Sequence, residues 1–112
     1  MLPVELSCQQ QVDRATLQLR IDSDLFWFQG HFPGLPILPG VAQLDWVIHY
    51  ATSLLAPGKG FAAIESIKFQ HPVPPSSLLQ LELYWLAEKN QLTFSYQLQG
   101  GRVASSGKII LC

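Results

Sequence analysis

The sequence predicts an α+β chain in which an antiparallel sheet curls around one long helix. Three observations carry this reading. Apolar and polar residues alternate in several separate runs, which is the period of half-buried strands. One segment of helical length is apolar on nearly every side. Clusters of proline and glycine punctuate the chain between these stretches. A buried helix followed by successive antiparallel strands belongs to the α+β class. The 112 residues are read as one domain, 1–112.

The elements follow in order. Val4 to Gln10 alternates weakly and is expected to pair, through a turn near Val12–Arg14, with a clearer strand. In that strand Ala15, Leu17, Leu19 and Ile21 alternate with Arg14, Thr16, Gln18 and Arg20. The helix is expected from Val41 to Leu55, ended by Ala56-Pro57-Gly58. Pro39 and Gly40 suit its start, because the first helical amides have no partner to lose. Asp45 is its one formally charged residue, where a surface helix would show a charged stripe. The helix is therefore expected to be wrapped on most sides. A strand at Phe61–Gln70 puts Ile67 and Phe69 on one face and Lys68 and Gln70 on the other. His71-Pro72-Val73-Pro74-Pro75 breaks it, since proline cannot donate to a ladder. Leu79, Leu81, Leu83 and Trp85 define the next strand, and Leu92, Phe94, Tyr96 and Leu98 the one after. Glu88-Lys89-Asn90 is the hairpin turn between them. Gly100-Gly101 turns the chain into a last strand, Arg102–Leu111.

Composition narrows the function. The chain is 48% hydrophobic and 13% charged, against roughly 25% charged in ordinary domains. Such an excess of apolar residues needs a subunit interface or a hydrophobic ligand tunnel to cover it. No apolar run approaches a membrane span. The first ten residues lack the charged start and apolar block of a signal peptide, so a cytoplasmic location is expected. The net charge of −1 argues against nucleic acid as a main partner. Lys59, Lys68, Lys89, Arg102 and Lys108 either form a local basic patch or keep the surface solvated. Cys8 and Cys112 are expected as free thiols. Phosphate-binding glycine loops, the GxSxG elbow, CxxC pairs and HExxH are all missing from the sequence.

One stretch remains, WFQGHFPGLPILPGVAQLDW at 27–46. Its prolines and glycines should make a stiff, shaped loop that fixes His31 beside an apolar surface. The loop runs into a helix N-terminus, whose amides and positive dipole end can stabilise an oxyanion. Asp45 follows a little over one turn later. A base, a carboxylate in an apolar wall and an oxyanion site suit proton abstraction beside a carbonyl. Burial should raise the pKa of Asp45 and lower that of His31, favouring both neutral forms. The residues equally allow a structural role: a hydrogen-bonded loop histidine, and an Asp45 that caps a loop or pairs with a lysine. His49 shares the helical face of Asp45, but with His31 it makes only a weak metal pattern, and no metal is expected. His71 reads as structural, and Trp27, Trp46 and Trp85 as core.

GHFPGLPILPGV at 30–41 resembles the signature of the hot-dog-fold 3-hydroxyacyl-[acyl-carrier-protein] dehydratases. KFQHPVPPSSLLQLEL at 68–83 is similar to that family's later segment, and GGRVASSGKIIL at 100–111 to its last strand. The resemblance implies a hot-dog fold whose sheets join edge to edge in a homodimer, or in a hetero-dimer with another dehydratase. It implies an active site between chains, His31 of one facing Asp45 of the other, with the Gly40 amide binding the thioester carbonyl. Phe32, Pro33, Leu38, Val41 and Trp46 would line an acyl tunnel. The implied activity is dehydration of a 3-hydroxyacyl thioester on acyl carrier protein, with no cofactor. The departures are Asp45 where one branch has Glu, Pro75-Ser76-Ser77 in place of Pro-Gly-Asp, and a missing N-terminal segment. The motif stretch looks most like the subgroup of aryl-polyene biosynthesis. Two alternatives stand beside it: a hot-dog thioesterase with Asp45 activating water, and a non-catalytic subunit that binds acyl chains or a catalytic partner.

Overall fold

Alternation in the sequence becomes a six-stranded antiparallel sheet in the structure, a computed structural model that describes residues 2–23 and 37–112. The elements are β1 (Val4–Gln10), β2 (Arg14–Arg20), α1 (Gly40–Leu54), β3 (Phe61–Phe69), β4 (Leu78–Leu86), β5 (Gln91–Leu98) and β6 (Val103–Leu111). The sheet order is β1-β2-β4-β5-β6-β3. Every pairing is antiparallel. This is the expected hot-dog fold, and each predicted element is present, with α1 starting at Gly40.

Register explains why one face of the sheet is greasy. Leu17 lies opposite Leu81, Leu81 opposite Tyr96, and Tyr96 opposite Ser105. A parallel row runs Ala15, Leu83, Phe94, Gly107, Ile67. Because strand side chains alternate, these rows all face α1, and Leu17, Leu81 and Tyr96 are wholly buried. Each such leucine contributes roughly 1.5–3 kcal/mol relative to exposure. Gly107 has a steric reason: a Cβ there would strike the Ser66 carbonyl and come within 3.1 Å of the Phe94 ring.

The helix meets this floor with Ala42, Gln43, Trp46, Val47, Tyr50 and Ala51. Its other end is held by Gln10, whose Nε2 donates to the Leu54 carbonyl at 2.6 Å. The loop before β4 docks on the end of β2: Ser76 N–H donates to Ile21 O at 2.7 Å and Ile21 N–H to Ser77 O at 2.9 Å. Ser76 has a φ of 65°, a left-handed conformation at the position where the family resemblance has glycine.

The helix is covered on most sides, as expected, but one stripe is open within the chain: Val41, Asp45 and His49 are exposed along it. One sheet has one concave face, so it covers one face of α1 and leaves the opposite face open. Edge strand β3 is open too, with Phe61, Ile64 and Phe69 each about half exposed. Among the described residues, no helix is long and apolar enough to cross a membrane.

Candidate functional site

The start of α1 is built without the usual side-chain cap. Its N-cap is Pro39, and the first turn holds no acidic residue. Pro39 O accepts from Ala42 N–H at 3.1 Å and from Gln43 N–H at 3.3 Å. The N–H groups of Gly40 and Val41 find no acceptor among the described residues, as expected of the first helical donors. The positive end of the helix is thus presented at Gly40. Gly40 is glycine for a steric reason: an added Cβ would lie 2.5 Å from Phe69 Cζ.

Gly40 opens into a groove of about 380 Å³, walled by Leu38, Phe69 and Pro72 and floored by Gln43. A second groove of about 450 Å³ continues past Ile37, His71 and Pro72 toward Leu78, Leu98 and Arg102. His71 stands where the two meet, its Nδ1 at 2.9 Å from Val103 O. That bond fixes the ring, which fits the structural role expected of it.

Beneath the groove lies a buried polar cluster. Ser105 Oγ donates to Gln43 Oε1 at 2.6 Å, and Gln43 Nε2 reaches back to Leu38 O at 3.4 Å. Tyr96 Oη donates to the Gln43 backbone carbonyl at 2.7 Å. Burial pushes the Tyr96 hydroxyl well above the usual phenol range, with further contributions from Tyr50 and Asp45. Tyr96 is therefore a proton donor at any ordinary pH. The Gln43 cluster escaped the sequence reading, although a polar residue three positions before buried Trp46, on the apolar side of a helix, was a readable signal.

Asp45 stands on the open stripe of α1, between Val41 and His49. The expected burial of Asp45 is not met within one chain, because the sheet lies on the opposite side of the helix. Of the expected tunnel residues, Leu38 is buried and lines the groove, Val41 is 65% exposed, and Trp46 is enclosed in the core. His31, Phe32, Pro33 and Trp27 lie outside the described residues. Among the described residues, no His, Cys, Asp or Glu cluster could hold a metal ion. Lys68 and Lys108 flank a shallow concavity on the sheet face away from the core, with Ser66, Thr93, Ser95 and Ser106. Lys59 is tied to Asn90 at the far turn.

Among the described residues, one long helix, its N-terminus presented in an apolar groove, is cradled by a six-stranded antiparallel sheet, which defines a hot-dog fold. The family model for ApeI-like proteins, described as ApeI dehydratase, matches residues 7–108, and the chain belongs to that family. The dehydratase heterocomplex ApeI:P from Xenorhabdus doucetiae superposes with a TM-score of 0.96 at 50% identity, covering 100% of this chain and 99% of that one. A protein of uncharacterised role from Erwinia carotovora subsp. atroseptica superposes at 0.94 with 54% identity, covering 100% and 97%. The 3-hydroxyacyl-[acyl-carrier-protein] dehydratase FabZ of Erythrobacter litoralis is 37% identical over 83 residues, 66% of this chain and 53% of that protein. The chain thus spans about half the length of the curated relatives it matches.

Proposed function

We propose that this chain dehydrates a 3-hydroxyacyl thioester carried on acyl carrier protein, giving the trans-2-enoyl thioester and water. The observation that carries the proposal is the Gly40 amide, presented in an apolar groove at the start of α1, with Asp45 a little over one turn further along, on the open stripe of the same helix. In this reading the thioester carbonyl accepts from Gly40 N–H. A neutral His31 takes the C2 proton, and the electrons move into the thioester as an enolate-like oxyanion. The Gly40 amide and the helix end stabilise that charge. As the C2–C3 double bond forms, the C3–O bond breaks, and a protonated Asp45 supplies the proton that makes the leaving hydroxyl water.

The exposure of Asp45 supports a site completed by a second chain. A carboxylate on an open helix face gains an apolar wall only when something covers that face. Strand β3 supplies the edge for that association, because it is open and apolar at Phe61 and Ile64. The same covering would enclose Val41 and complete the acyl channel. An acidic carrier protein would be received by the lysines, of which Lys68 and Lys108 already share one concavity. No step requires a cofactor, and the reading places the chain in the cytoplasm.

The assay is incubation of the purified chain with 3-hydroxyacyl carrier-protein substrates, read by intact mass. Loss of one water supports the proposal. Release of the free acid supports the thioesterase reading instead. A second reading is favoured by one observation: the relative from Xenorhabdus doucetiae was solved as a heterocomplex. On that reading β3 pairs with a different dehydratase subunit, and activity appears only when the two are mixed.

A further inference from the structure

Among the described residues, Gln43 and Ser105 are the polar side chains buried in an otherwise apolar core, at 4% and 0% exposure. They do not satisfy each other in passing. Together with the Tyr96 hydroxyl they converge on a single place, the first turns of α1. An apolar side chain of the same shape would fill the core as well and leave no polar group to satisfy. The cluster therefore needs a reason beyond packing.

Geometry supplies one. Pro39 cannot cap the helix with its side chain, so the segment ahead of Gly40 must be held otherwise. It is held at Leu38, from two directions. Leu38 N–H donates to Val73 O at 2.8 Å, and Leu38 O faces Gln43 Nε2 at 3.4 Å. The other end of the Gln43 amide is gripped by Ser105 of β6, and its backbone carbonyl by Tyr96 of β5. Gln43 also floors the groove into which Gly40 opens. A clamp rooted in two core strands thus fixes the chain two residues before the amide that the proposed reaction uses.

We infer that Gln43, clamped by Ser105 and Tyr96, is a positioning residue that aims the Gly40 amide at the thioester carbonyl. The inference rests on the proposed dehydration and deepens it. Gln43 acts through Gly40 and needs no contact with substrate. Misplacing such a donor by about 1 Å is enough to lower a rate about a hundredfold. The oxyanion develops in the transition state, so the loss falls on kcat more than on KM.

The test uses Gln43→Met, which keeps length and loses every side-chain hydrogen bond, and Ser105→Ala, a milder change that protects the test if the first variant folds poorly. Gln43→Met should lower kcat at least about tenfold with KM within about threefold. Ser105→Ala should move kcat the same way by less. The double variant should be no worse than Gln43→Met alone, because both act on one clamp. Backbone hydrogen exchange at Leu38, Ala42 and Gln43, whose amides are bonded to Val73 O and Pro39 O, should quicken in both variants while the amides of β2 and β4 stay protected. A folded Gln43→Met chain with kcat within about twofold of wild type, or with unchanged exchange at the helix start, overturns the inference. A lower melting temperature with kcat intact assigns the cluster to packing and overturns it equally. If the wild-type chain dehydrates no 3-hydroxyacyl thioester, alone or mixed with a second dehydratase subunit, it is the proposed reaction that fails, and the exchange arm decides the clamp alone.

Discussion

Replacing Gly40 with alanine should separate stability from activity. An added Cβ would lie 2.5 Å from Phe69 Cζ and 2.9 Å from Cε1, while carbon atoms prefer roughly 3.5–4.0 Å. The ring must therefore retreat by about 1 Å. It can do so cheaply, because Phe69 is 53% exposed and ends a flexible side chain. Alanine also suits a helix better than glycine by up to about 1 kcal/mol, less in the first turn. Net stability should stay within about 1 kcal/mol of wild type. Activity should not. The methyl and the displaced ring both enter the groove at the amide proposed to receive the oxyanion, and spoiling one such donor costs about 10²–10³ in kcat. Thermal unfolding and the rate of enoyl-thioester formation would be measured side by side. Gly40→Ala/Phe69→Ala should recover part of the lost rate if the ring is the obstacle. A folded Gly40→Ala chain that turns over as fast as wild type would refute the role of this amide.

The remaining predictions concern the turn, the buried phenol and the open edge. Ser76→Gly should raise the unfolding free energy by about 1 kcal/mol, because Ser76 sits at φ 65° and its bond to Ile21 O is a backbone one that glycine keeps; denaturant titration that shows no gain would contradict this. Tyr96 has a raised pKa through burial, so the folded state favours the neutral phenol. Its contribution is full below the unfolded tyrosine value near 10 and declines as pH rises above that value. Melting temperature should be flat near neutrality, fall above about pH 10, and fall less steeply in Tyr96→Phe; parallel curves would contradict this. Ile64→Lys on β3 should leave the monomer folded and shift sedimentation toward one chain, with activity lost in proportion; an unchanged assembly would move the interface elsewhere.

How much was legible depends on what each residue reports. Leu17, Leu81 and Tyr96 betray their strands because alternation is a local consequence of backbone geometry, and the proline and glycine breaks gave the turns for the same reason. The free amides at the start of α1 were also readable, since the first donors of any helix lack intrahelical partners. The exposure of Asp45 was not. An apolar helix looks wrapped from sequence, and nothing in one chain says whether its own sheet or a neighbour does the wrapping. Gln43 was missed for a related reason: its spacing from Trp46 puts it on the apolar side of the helix, but only the fold brings Ser105 and Tyr96 beneath it. At Ser76 the departure from the family's glycine was visible, but the positive φ that gives it meaning was not.

The central claim is that a dehydration site is shared between two chains, with His31 from one and Asp45 from the other. Co-expression of a His31→Ala chain with an Asp45→Asn chain tests it most directly. Each variant alone should be folded and inactive. Random pairing makes half of the dimers mixed, each with one complete site, so the mixture should regain roughly a quarter of wild-type activity. A mixture that stays as inactive as its parents, with mixed dimers demonstrated by native mass, would contradict the claim.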